Sequence, residues 1–99
     1  MADRTGWAEV RGRRMAEPGA QEAYDVARLG YELGRTVRGL REQRGWSQAE
    51  LGQSASMTQS AVARFEAGGT MPSLPVLDRL ARALNADLIV QMTPRTDVA

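Results

Sequence analysis

Residues 48–66 read QAELGQSASMTQSAVARFE, and this stretch determines the fold. It predicts two short helices joined by a tight turn. Ser47 and Glu50 have the Ser-x-x-Glu spacing of a capping box, which places a helix start at Ser47. Thr58 is a favourable N-cap for the next helix, over residues 59–67. The side chains that we expect to face inward from this pair are Leu51, Ala55, Val62 and Phe65.

The helical pattern extends on both sides of this pair. Residues 20–44 repeat apolar side chains at three- and four-residue steps, so they predict a long first helix that Gly45 ends. Gly30 weakens that helix, and a break or kink there is an open alternative. Ser73 opens a fourth helix over residues 74–84. The chain is therefore predicted to be all-α apart from its ends.

Residues 1–19 show no apolar periodicity and carry four arginines. We expect a flexible, basic N-terminal tail there, and the alternative is an arm that touches DNA phosphates or a minor groove. Residues 20–93 are expected to form the one domain that 99 residues allow. Residues 94–99 should be a frayed C-terminus.

An apolar stretch near the C-terminus predicts one short β-strand. Because the rest of the chain is helical, this strand has no partner of its own. We expect it to pair antiparallel with the same strand of a second copy, which makes the protein a homodimer. The alternative is an apolar segment that lies over the helices. The predicted dimerisation strand consists of Leu88, Ile89, Val90, Gln91 and Met92.

The composition excludes several classes of protein. The chain has no Cys and no His, so we expect no metal, no cofactor and no enzymatic activity. It has neither a long apolar run nor an N-terminal apolar region of the kind that signal peptides carry, so we expect a cytoplasmic protein without a membrane partner. Its 13 basic residues, all arginine, nearly balance 12 acidic ones. The net charge therefore does not indicate nucleic-acid binding, and an argument for such an interface must rest on where the charged residues lie.

The motif in residues 48–66 resembles the helix-turn-helix of the lambda-repressor and Xre family. The flanking segments RGLREQRGWSQAEL (residues 38–51) and FEAGGTMPSLPVLDRLARAL (residues 65–84) are similar to the same family. The resemblance covers residues 33–84 and implies a four- to five-helix lambda-repressor-like DNA-binding domain. One departure is Ser56, at a turn position where the family usually has Gly. The positions that carry the resemblance are Gln48, Leu51, Gly52, Gln59, Val62 and Phe65.

The resemblance also implies roles for individual residues on double-stranded operator DNA. The leading side chains of the third helix reach base edges in the major groove. Gln59 should be the main base reader, Gln48 should bind a phosphate, and Arg64 should read guanine or grip the backbone. An ordinary surface position is the alternative for Gln48, and a solvated side chain is the alternative for Arg64. Arg41 and Glu66 match a structural ion pair of the family. The full set of predicted DNA-binding residues is Gln48, Thr58, Gln59, Ser60, Ala63 and Arg64.

The long first helix and the C-terminal strand, in a chain of this size, resemble antitoxins of the HigA and HipB kind. That resemblance implies a sequence-specific transcriptional repressor that autoregulates its operon and neutralises a cognate toxin, as one half of a type II toxin-antitoxin pair. Two alternatives stay open. One is a stand-alone Xre-type regulator without a toxin partner, and the other is an interaction module that kept the fold without DNA binding. In a dimer, the two recognition helices should lie about 34–36 Å apart.

Overall fold

The computed structural model describes residues 19–68 and 70–96. The all-α prediction is confirmed for these ranges. Each helix begins and ends within one residue of its predicted bounds. Residues 1–18 of the predicted tail (residues 1–19) and residues 97–99 of the predicted frayed C-terminus (residues 94–99) lie outside the described residues. The elements follow in the order α1 (Ala20–Gln43), α2 (Gln48–Ala55), α3 (Gln59–Glu66) and α4 (Leu74–Ala83).

Helix α1 runs through Gly30 without the break that the sequence left open. Its second half packs against the end of α3, and Gly34 makes this contact possible. A Cβ atom at Gly34 would overlap the carbonyl oxygen of Phe65. The glycine therefore sets the distance between α1 and the motif. None of the helices in the described ranges is long and apolar enough to cross a membrane.

Local chemistry fixes the ends of α2. The Ser47 hydroxyl accepts from the Glu50 amide at 3.0 Å, and the Glu50 carboxylate accepts from the Ser47 amide at 2.7 Å, which completes the predicted capping box. Ser56 ends the helix in the left-handed region, with φ 59° and ψ 46°. At Gly52, an added Cβ would lie 2.5 Å from the carbonyl oxygen of Met57. The turn is as tight as the sequence predicted.

The core lies where α2, α3 and α4 meet beneath α1. Fully burying an apolar side chain of this size stabilises a fold by about 1.5–3 kcal/mol, so a few such residues carry much of the stability of a small domain. All of the inward-facing residues predicted for the motif are buried. The largest fully buried side chains are Leu51, Val62, Phe65 and Leu80.

The segment at residues 88–92 has no strand in the structure. Leu88 is half-buried against the core, whereas Ile89 and Met92 are 79% and 95% exposed. A strand ladder needs a partner strand, and the described part of this single chain contains none. The predicted strand and its pairing across a dimer therefore stay predictions.

Candidate nucleic-acid interface

Helix α3 presents one face to solvent and buries the other. Val62, Phe65 and Glu66 are buried against the neighbouring helices. Thr58 caps the helix, since its hydroxyl accepts from the Ala61 amide at 3.0 Å. The first turn is consequently rigid and open to solvent. Of the predicted DNA contacts on this helix, Ala63 is half-buried, and the exposed ones are Thr58, Gln59, Ser60 and Arg64.

Two glutamines join the N-terminal ends of α2 and α3. The amide nitrogen of Gln59 donates to the carbonyl oxygen of Gln48 at 2.8 Å. The amide nitrogen of Gln48 in turn donates to a carboxylate oxygen of Glu66 at 3.1 Å. Gln59 therefore keeps one N–H and its carbonyl oxygen unused by the described residues. That donor and acceptor are the pair that a glutamine presents to adenine in the major groove.

A buried ion pair anchors this chain of amides. The Arg41 guanidinium donates to both oxygens of Glu66, at 2.7 and 2.9 Å, and a third N–H donates to the Trp46 carbonyl at 2.7 Å. Burial by itself would raise the pKa of Glu66. The hydrogen bonds from Arg41 and Gln48, together with the positive charges of Arg41 and Arg38, outweigh burial and hold that pKa below its usual range. No buried side-chain polar atom in the described ranges lacks a partner.

The charges on this face favour an anion. Glu66 is the only acidic residue of α3, and its carboxylate is buried and neutralised by Arg41. Arg64 is exposed and makes no hydrogen bond or ion pair with any residue in the described ranges. A duplex carries dense negative charge along its backbone, so a face with a free cation and no free carboxylate suits its approach.

The structure brings most of the predicted site residues together and adds connections that the sequence did not predict. Arg41 and Glu66 do form a buried pair. Gln48, expected to reach a phosphate, instead uses its carbonyl oxygen and one N–H within the chain. Its other N–H stays available to a phosphate. A signal for the link to Gln59 was present, because two long amides begin adjacent helices of a tight motif.

The chain is similar in sequence to known proteins over the region of the motif. A family model described as a helix-turn-helix domain matches residues 32–90. A competence pilus inhibition repressor from Acinetobacter baylyi is 33% identical over 57 residues. The aligned part is 58% of this chain and 52% of that protein, so the chain spans about half the length of this curated relative. No solved structure matches the chain.

Proposed function

We propose that this chain, which belongs to the helix-turn-helix domain family, is a sequence-specific transcriptional repressor that inserts α3 into the major groove of operator DNA. The observation that carries the proposal is the orientation of Gln59. Its amide is exposed at the start of α3, is held by Gln48, and keeps a donor and an acceptor free. The related protein from Acinetobacter baylyi is a repressor, which agrees with this function. The role is one of binding and not of catalysis.

Base reading follows from the chemistry of the exposed side chains. Gln59 can pair with adenine at two points, and Arg64 can pair with guanine at two points. Each such contact discriminates against a wrong base by about 1–3 kcal/mol. Thr58, Ser60 and Ala63 lie beside these two residues and complete the contact surface.

The test is loss of discrimination after Gln59→Ala. Duplexes retained by the purified protein from a random pool supply the operator, and fluorescence anisotropy compares its affinity with that of a scrambled duplex. We expect the ratio of the two affinities to fall by about 5- to 150-fold in the variant, because one bidentate contact is lost. Gln21→Ala is the matched control, since that amide is exposed on α1 and bonds only Asp25. An unchanged ratio in Gln59→Ala would exclude base reading by Gln59, the residue that carries the proposal.

We further propose that the protein works as a homodimer through an apolar surface on the side of the molecule formed by α1, α4 and the C-terminal segment. The lining residues form a groove of about 530 Å³, and none of them belongs to α2 or α3. The exposed first turn of α3, which we propose faces DNA, therefore stays accessible when a second copy of the chain covers this surface. The exposed apolar side chains of the surface are Val26, Leu29, Met71, Leu74, Ile89 and Val90.

The backbone of residues 88–92 favours a second copy as the partner. These residues make no backbone–backbone hydrogen bond with any part of the chain that the structure describes. Pairing with the same segment of a second copy would satisfy these groups and would cover Ile89 and Val90. Sedimentation equilibrium tests this. Val90→Pro removes an N–H donor and should shift the protein towards monomer, whereas Arg82→Ala, on an exposed face of α4, should not. A monomeric parent protein would refute the dimer.

We propose an antitoxin role for the N-terminal half of α1. Residues 20–31 precede the region that the family model matches, and residues 21–29 are exposed in the single chain. Of these, Val26 and Leu29 line the proposed dimer groove, which leaves the opposite face of α1 to a toxin. A helical extension of this kind offers a binding surface to a cognate toxin. Expression of the product of an adjacent gene should arrest growth, and co-expression of this chain should relieve that arrest. This result would support the role. Arg28→Glu should weaken that relief, and Arg82→Glu, a matched control, should not. A harmless neighbouring product would favour the alternative, a stand-alone regulator without a toxin partner.

A further inference from the structure

An arginine at the end of α1 is stacked on a tryptophan beside the proposed DNA surface. The guanidinium carbon of Arg44 lies 4.4 Å from the centroid of the Trp46 ring. Stacking on an aromatic face fixes a guanidinium while its in-plane N–H donors stay available. Arg44 is exposed and forms no ion pair with any carboxylate within residues 19–68 and 70–96. The guanidinium of Arg44 is therefore held in position and has no carboxylate partner among the described residues.

The position of this cation is tied to the base-reading residues. The Trp46 carbonyl accepts from Arg41, and Arg41 holds the carboxylate to which the Gln48 amide donates. Trp46 lies two residues before Gln48, so their Cα atoms are at most about 7.6 Å apart. A continuous series of hydrogen bonds thus leads from the backbone beneath the stacked arginine to Gln59.

From this arrangement we propose that Arg44, held by Trp46, binds a DNA phosphate on the strand that passes the start of α2. The inference rests on the proposed function, because it needs the duplex to be seated on α3. A phosphate is the ligand that suits a fixed, unpaired guanidinium, which can donate two parallel hydrogen bonds to it. Such a contact positions the protein on the duplex and carries no sequence information.

The experiment measures operator affinity across a range of salt concentrations. Each phosphate that the protein neutralises contributes about 0.9 to the slope of log affinity against log salt, so Arg44→Ala should reduce that slope by about 0.9. The same relation gives an affinity loss of about 8-fold at 0.1 M salt. Operator and scrambled duplexes should lose affinity equally, because a phosphate contact is blind to sequence. Arg82→Ala is the control and should leave the slope unchanged.

A second variant tests the role of the tryptophan. Trp46→Leu keeps an apolar side chain against the core but removes the aromatic face, and circular dichroism verifies that the variant is folded. Its affinity should fall by less than in Arg44→Ala, and the double variant should bind no more weakly than Arg44→Ala alone. If the parent protein binds its operator and Arg44→Ala has the parental slope, this inference is wrong and the proposed function stands. If the parent protein retains no duplex at all, both are wrong.

Discussion

Removing the Glu66 carboxylate is the sharpest test of how this fold is held together. The side chains of Glu66 and Arg41 are only 3% and 11% exposed. Glu66→Ala would leave two N–H groups of Arg41 and one of Gln48 without their acceptor, in a site from which water is largely excluded. Breaking a buried ion pair by removing one partner costs about 3–5 kcal/mol. A domain of this size has a total stability of about 5–15 kcal/mol, so we expect the loss to be a large fraction of it.

Urea denaturation followed by circular dichroism measures this loss as a lower midpoint at unchanged slope. Asp78→Ala is the matched control, because it breaks an exposed i,i+4 pair with Arg82 that is worth about 0–1 kcal/mol. The double change Arg41→Met with Glu66→Leu should be less destabilising than Glu66→Ala, since it removes both buried charges together. A loss below about 1 kcal/mol in Glu66→Ala would refute the buried-pair reasoning.

Three further predictions concern the turn, the helix contact and pH. Ser56→Gly should raise the unfolding free energy by about 0.5–1 kcal/mol, because glycine adopts the left-handed conformation without a Cβ clash; urea denaturation checks it. Gly52→Ala should lower the free energy of unfolding by about 1–3 kcal/mol, seen as a lower urea midpoint, since its Cβ would meet the backbone oxygen of Met57. The pKa of Glu66 is lower in the folded than in the unfolded state, so the stability from this group is present above its unfolded pKa and is lost as pH falls through the folded one. Thermal midpoints from pH 7 to pH 3 should therefore fall less steeply in Glu66→Gln.

The parts of the fold that depend on local chemistry were predictable from the sequence. The capping box at Ser47 and the cap at Thr58 each involve atoms within a few residues of one another. Short-range hydrogen bonds decide such features, so the residue types are sufficient. The apolar spacing predicted the buried face of the motif, because helical periodicity places those side chains on one side. The left-handed conformation of Ser56 was not predicted, since serine disfavours that region.

The parts that were not predicted depend on contacts between distant segments. The bond between Gln48 and Glu66 spans 18 residues and joins the start of α2 to the end of α3, while Arg41 of α1 binds the same carboxylate. Gly34 sets the distance between α1 and the end of α3, and nothing local to Gln48 or Glu66 indicates that distance. The strand predicted at residues 88–92 requires still more distant atoms, because a ladder needs two strands and residues 19–68 and 70–96 contain no other strand. The partner that we propose for it belongs to a second copy of the chain.

The stability of the fold and the proposed reading of DNA depend on one set of atoms in this protein. The Glu66 carboxylate accepts from Arg41 to hold α1 against α3, and it also accepts from Gln48, which orients Gln59. A side chain oriented before binding loses less entropy on contact with a base than a free one does. If Gln59 reads a base as we propose, part of the cost of burying a charge in so small a core returns as this smaller entropy loss. The amide that we propose as the base reader is held, through Gln48, by the same carboxylate that joins the helices, so a change at Glu66 should alter both stability and DNA binding.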